Sequence, residues 1–172
     1  LVNLNRMAFP ALLHLGRHAD NLAEPLGESR EVSIPTTLPE GCARMHSSVP
    51  VLQAMYALAV QELQANISQD GLMLAGAAWS TVWTRDIAFA AALGTALAAP
   101  QATRASLESR VRGGVVVQDT GTGGGWPVST DRVAWALGAW SLYQVQGDRS
   151  WLEWCAQVLV ATLEQDAVVL SA

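Results

Sequence analysis

Lysine is absent from this 172-residue chain: its ten basic residues are all arginines, and fifteen Asp and Glu leave a net charge of −5. With no basic stripe to follow a phosphate backbone, nucleic acid is not an expected partner. The same absence removes the residue that a phosphate-binding loop requires. The run Gly121-Thr122-Gly123-Gly124-Gly125 is followed by no Gly-Lys-Ser/Thr, so it is not a P-loop. Cysteine is scarce as well, and Cys42 and Cys155 are too few and too far apart for a disulfide framework or a zinc knuckle. Long hydrophobic runs are lacking. The longest, Ile87 to Pro100, is interrupted by Gly94 and Thr95 and falls short of the ~20 residues a membrane-spanning helix needs, so no membrane partner is expected. No sequence repeat of fixed length occurs, which counts against tetratricopeptide or ankyrin arrays.

What is present describes a globular protein with a substantial core: 51% of residues are hydrophobic and 15% are charged. From Asp20 to Ser48 the chain is rich in Glu, Ser, Thr and Pro, and Pro25, Pro35 and Pro39 block any long helix. Residues 1–48 therefore read as an irregular lead-in and linker, and residues 49–172 as the helical domain. His14 and His18 stand four apart and could share a metal on a helix, but no third ligand accompanies them, and a solvated pair is the expectation. The chain begins at Leu1 rather than an initiator methionine, its first ten residues lack a signal-peptide pattern, and it stops in the uncapped apolar run Ala167 to Ala172. These features lead us to expect a piece of a longer gene product.

The apolar spacing predicts five helices. The first runs from Pro50 to about Asn66, with Leu52, Met55, Tyr56, Ala59, Val60 and Leu63 at intervals of three and four. Asp70-Gly71 marks a turn. A second helix is expected to start near Thr84 as its cap and to end before Pro100, apolar on almost every face and so enclosed by protein. A third runs from Gln101 to about Arg112, where Gly113-Gly114 stops it. A fourth is capped by Thr130 and ends at Gly147, and Asp148 caps a fifth. Trp135, Trp140, Trp151 and Trp154 fall on these last two helices and read as packing residues, Trp151 and Trp154 sharing a face.

Trp79, Trp83, Arg85 and Asp86 lie where a loop turns into the second helix, a composition suited to hydroxyl-rich ligands. An arginine fork and a carboxylate can each make two directional hydrogen bonds to adjacent hydroxyls, while an indole face covers the C–H surface of a sugar ring. The plain alternative is that Asp86 complements the helix dipole, Arg85 pairs with it and both tryptophans are core.

The segment Trp83-Thr84-Arg85-Asp86 followed by an apolar helix resembles the corresponding segment of glucoamylases and related six-hairpin glycosidases, which fold as an (α/α)6 toroid. The resemblance implies that Arg85 and Asp86 hold hydroxyls of the sugar at the non-reducing end and that Trp83 lines the same subsite. Glucoamylases carry a tyrosine where this chain has Trp79, so stacking would replace that hydroxyl contact. A second stretch, Gln118 to Pro127 leading through Ser129-Thr130-Asp131-Arg132 into the fourth helix, is similar to the family's glycine, tryptophan and proline loop. It would add Trp126 and Asp131 to the subsite, with the spacing about one residue shorter. The simpler reading is that Thr130 and Asp131 cap a helix, Trp126 closes the loop and the glycines permit tight turns.

The resemblance covers roughly Pro50 to Asp166 and implies an all-α fold of helical hairpins forming part of the toroid, with less than half the ring present. It implies a parent that is an exo-acting, inverting glycosidase, whose acid and base stand roughly 6.5–9.5 Å apart. The family's two catalytic glutamates have no counterpart here, because Glu153 and Glu164 fall inside the fifth helix. The chain alone is therefore expected to bind carbohydrate without hydrolysing it and to need no cofactor. The alternative is a non-enzymatic interaction module that self-associates through the surface left uncovered. More remotely, Val116-Val117-Gln118-Asp119-Thr120-Gly121-Thr122 looks like an aspartic protease signature, but one copy would demand a homodimer and the flanking sequence is helical rather than strand.

Overall fold

The computed structural model describes residues 38, 42–76, 78–117 and 130–170. The chain divides into two compact units, Leu1–Gln61 and Glu62–Ala172. Five features singled out above lie outside the described residues: His14, His18, the Asp119-Thr120-Gly121 motif, the glycine run and Trp126.

Helix α1, Pro50–Ala65, begins in the first unit at Pro50, whose missing N–H costs nothing at a helix start. Ala54, Ala57 and Val60 form its buried stripe. The segment before the helix is tied back onto it: the Tyr56 hydroxyl donates to the Ala43 carbonyl at 2.7 Å, and the Gln53 amide to the Ser47 carbonyl at 2.8 Å.

The second unit is all-α apart from one short hairpin among the described residues. Its elements are α2 (Thr84–Ala90), a π-helical segment (Ala91–Thr95), α3 (Ala96–Ala98), α4 (Pro100–Ser109), strands β1 (Val111–Arg112) and β2 (Val115–Val116), α5 (Thr130–Gln146) and α6 (Arg149–Leu170). Before α2, the chain turns at Asp70-Gly71, with Gly71 at φ +76°, and antiparallel bridges join Ile67 to Met73 and Gly76 to Trp79.

The core gathers Ile87, Leu107, Val116, Trp135, Leu142, Trp151, Cys155 and Val158. Helix α2 crosses α5 at Gly138, where a Cβ would lie 2.9 Å from the Ala88 Cα and 3.0 Å from a Leu107 methyl. Glycine is required there for close approach, not for its backbone freedom. The buried indoles are satisfied through backbone carbonyls, Trp135 Nε1 donating to Leu107 at 2.9 Å and Trp151 Nε1 to Ala139 at 3.0 Å. Each contributes roughly 4–6 kcal/mol of gross apolar burial before entropy is charged against it. Burial also pushes the Cys155 thiol up to about 12.

Helix α5 ends as expected at Gly147, left-handed at φ +67°, whose N–H returns to the Tyr143 carbonyl at 2.7 Å. Asp148 then caps α6, accepting from the Ser150 and Trp151 backbone N–H groups at 3.0 and 3.2 Å. Its carboxyl is held well below the usual carboxylate range by the Ser150 hydroxyl, by Arg104 at 2.8 Å and by the Trp151 N–H. Arg104 also pairs with Glu108 and lies over the Trp151 ring, 4.9 Å from its centroid.

Four expectations are corrected. The second helix is neither continuous nor enclosed: it passes through a π-turn with Gly94 at φ +151°, and Phe89, Leu93 and Leu97 are exposed, Leu93 at 87%. Thr84 is not its cap. The helix opens at Thr84 itself, Trp83 holds the extended N-cap position without a side-chain cap, and the buried Thr84 hydroxyl faces inward instead. The third helix begins at Pro100 and ends at Ser109, because Val111–Arg112 pairs antiparallel with Val115–Val116. Gly113 and Gly114, both at positive φ, form the two-residue turn that a right-twisted hairpin favours. Finally, Trp140 is half-exposed against Tyr143 rather than packed in the core. Among the described residues, no helix is long and apolar enough to cross a membrane.

Candidate functional site

The loop from Ala75 to Trp83 folds back on itself before α2. Trp79 N–H donates to the Gly76 carbonyl at 2.9 Å, and Ala75 N–H to the Thr81 carbonyl at 3.1 Å. The Trp83 indole N–H is taken by the Thr81 hydroxyl at 2.7 Å, which fixes the ring. Trp79 meets Trp83 edge to face, with centroids 5.7 Å apart and planes at 73°. Trp79 is 55% exposed, an unusual state for so large an apolar ring.

Ala75, Trp79, Trp83, Arg85 and Asp86 line an open cavity of about 360 Å³. All four residues singled out around this helix start therefore share one concavity. Arg85 does not pair with its neighbour Asp86. Its Nη1 donates to Asp131 Oδ1 at 3.0 Å, across 46 positions of sequence. The segment that enters α2 and the stretch that enters α5 are thus joined at Arg85 and Asp131, while Trp126 lies outside the described residues.

The lining combines an arginine and a carboxylate with two indoles. The Arg85 side chain is 52% exposed, so its planar fork presents further N–H donors outward while Asp131, 18% exposed, fixes its orientation. Asp86, in the first turn of α2, presents an exposed carboxylate at the same rim. A donor fork and a carboxylate can hydrogen-bond hydroxyl groups, and indole rings can cover C–H surfaces. Among the described residues, no group of three His, Cys, Asp or Glu could hold a metal ion.

Behind the rim sit two residues that sequence reasoning did not single out. Arg132 is 4% exposed and pairs with buried Asp166. Arg110 reaches from the end of α4 to the Thr84 hydroxyl at 3.1 Å. Neither has a local signal, since every partner named for it lies at least sixteen residues away in sequence. No known protein family, curated protein or solved structure matches this chain.

Proposed function

We propose that the cavity beside Trp79 and Trp83 binds a sugar ring, and that the helices carrying it are hairpins of the (α/α)6 class, so that the chain supplies the sugar-holding part of a glycosidase of that kind. The observation that carries the reading is the Arg85–Asp131 pair at 3.0 Å, beside the cavity that Trp79, Trp83 and Asp86 line. In the resemblance, arginine and aspartate from these two stretches serve one subsite. Arg85 and Asp86 hold hydroxyls, the indoles cover the C–H face, and Asp131 keeps the arginine fork in place.

Glu153 and Glu164 lie on α6 and do not line the cavity. The chain is accordingly proposed to bind sugar without cleaving it. Calorimetric titration with glucose, maltose, maltotriose and cellotriose tests the first part. Arg85→Ala and Asp86→Ala should each abolish binding while unfolding stays cooperative, and unchanged binding would remove these residues from the site. Incubation with aryl glycosides tests the second part. Turnover that is lost in Asp86→Asn would make Asp86 a catalytic group and overturn the role given to it.

A second reading is favoured by the apolar residues that stay exposed: Phe89, Leu93 and Leu97 along α2 to α3, and Val133, Leu137 and Trp140 along α5. Exposed large apolar side chains that adjoin one another mark association sites. On that reading the chain is a helical interaction module that self-associates, and concentration-dependent size-exclusion chromatography would show a dimer or larger species. A monomer at all concentrations would count against it.

A further inference from the structure

The Arg85–Asp131 pair is formed by residues on two different helices, and each of the two has an immediate neighbour anchored in the interior. Thr84, just before Arg85, is fully buried and its hydroxyl accepts from Arg110 Nε at 3.1 Å. Arg132, just after Asp131, donates from Nε to the Val116 carbonyl at 2.7 Å, from Nη2 to Gln165 Oε1 at 2.6 Å, and from Nη1 to Asp166.

Both anchors meet at the β1–β2 hairpin. Val116 lies in β2, and Arg110, the residue before β1, is held at the hairpin's base by the Val117 N–H donating to its carbonyl at 2.8 Å. The hairpin is fixed in turn to α6, since the Val116 N–H donates to the Thr162 hydroxyl at 3.0 Å and that hydroxyl donates to the Val158 carbonyl at 2.7 Å. Successive residues on a helix point about 100° apart. Drawing Arg132 inward therefore sets the direction in which Asp131 leaves α5, and burying Thr84 does the same for Arg85 on α2.

We infer that Arg132 is a positioning residue for the sugar site, acting through the Val111–Val116 hairpin to hold Asp131 where it orients the Arg85 fork. The inference rests on the sugar-binding reading of the cavity. It assigns to a buried arginine, remote from the ligand, control over a contact at the rim.

The test removes the grip without leaving a buried charge unpaired. In the double variant Arg132→Met, Asp166→Leu both members of the buried pair become apolar, a change that folded proteins commonly tolerate. Maltotriose affinity should fall at least about tenfold, the equivalent of losing one charge-assisted hydrogen bond. Adding Asp131→Asn to that background should cost nothing more, although Asp131→Asn alone weakens the wild-type protein by a similar factor. Wild-type affinity in the folded double variant, or losses that multiply, would overturn the inference. Should the double variant fail to fold, Arg132→Lys repeats the test: it keeps a charge facing Asp166, cannot serve the Val116 carbonyl and Gln165 together, and should show the same loss. If the wild-type protein binds none of the four sugars, the sugar reading itself fails. A crystal structure of the variant then decides the positioning role alone, which stands if Arg85 and Asp131 have separated beyond hydrogen-bond reach and falls if they remain paired.

Discussion

Asp131 and Arg132 are neighbours in the chain, and each makes an ion pair with a residue far away in sequence, yet the two pairs occupy different media. Arg132 and Asp166 are both almost fully buried, and the guanidinium also donates to the Val116 carbonyl and Gln165. Arg85 and Asp131 meet at the surface, with the arginine half-exposed beside a cavity. A buried pair is costly to break from one side because the survivor is left uncompensated. An exposed pair is screened by water and salt and contributes little to stability. The two side by side therefore separate what holds this fold from what is available to a ligand.

The comparison can be broken most forcefully at Asp166. Asp166→Ala removes the buried carboxylate that faces the Arg132 guanidinium, and should destabilise the protein by about 3–5 kcal/mol in denaturant unfolding. A loss below about 1 kcal/mol would mean that the pair is solvated after all. Next in size is Gly138→Ala, which thrusts a methyl against the Ala88 backbone and should cost about 1–3 kcal/mol by overpacking the crossing that carries α2 and its Arg85. Arg85→Ala should cost no more than about 1 kcal/mol of stability while removing sugar binding. A large stability loss there would turn the surface pair into a structural one.

Smaller still is the pH response of Asp148, the cap of α6. Its folded carboxyl lies below its unfolded value, so its contribution is fully present above the usual carboxylate range, about pH 4, and is lost as pH falls through the depressed folded value. The melting temperature should accordingly fall on acidification below about pH 4, and Asp148→Ala should flatten that slope. The smallest effect is expected at Leu93, whose side chain stands in solvent: Leu93→Gln should change stability by no more than about 0.5 kcal/mol. A larger loss at high protein concentration only would expose self-association through that face.

Much of the helical frame was legible because its punctuation is local. Pro50 at a helix start, Gly147 followed by the Asp148 cap, and the apolar spacing between them depend on residues within one or two turns of each other. The hairpin was missed because two-residue strands carry no period, and Gly113-Gly114 serves equally as a helix stop and as a hairpin turn. The break in the second helix was missed because an apolar run containing Gly94 satisfies a helix pattern whether or not a π-turn interrupts it. At the site, Trp79, Trp83, Arg85 and Asp86 could be grouped because they crowd one helix start. The Arg85–Asp131 contact and the anchors at Arg132 and Arg110 could not, since tertiary packing alone brings their partners together.

The most direct measurement is a calorimetric titration of maltotriose into the wild-type protein and into Arg85→Ala, with thermal unfolding of both recorded alongside. The expected result is saturable binding by the wild type and none by the variant, at nearly equal melting temperatures. Equal binding by the two proteins would contradict the division between an inward pair that holds the fold and an outward pair that holds a ligand.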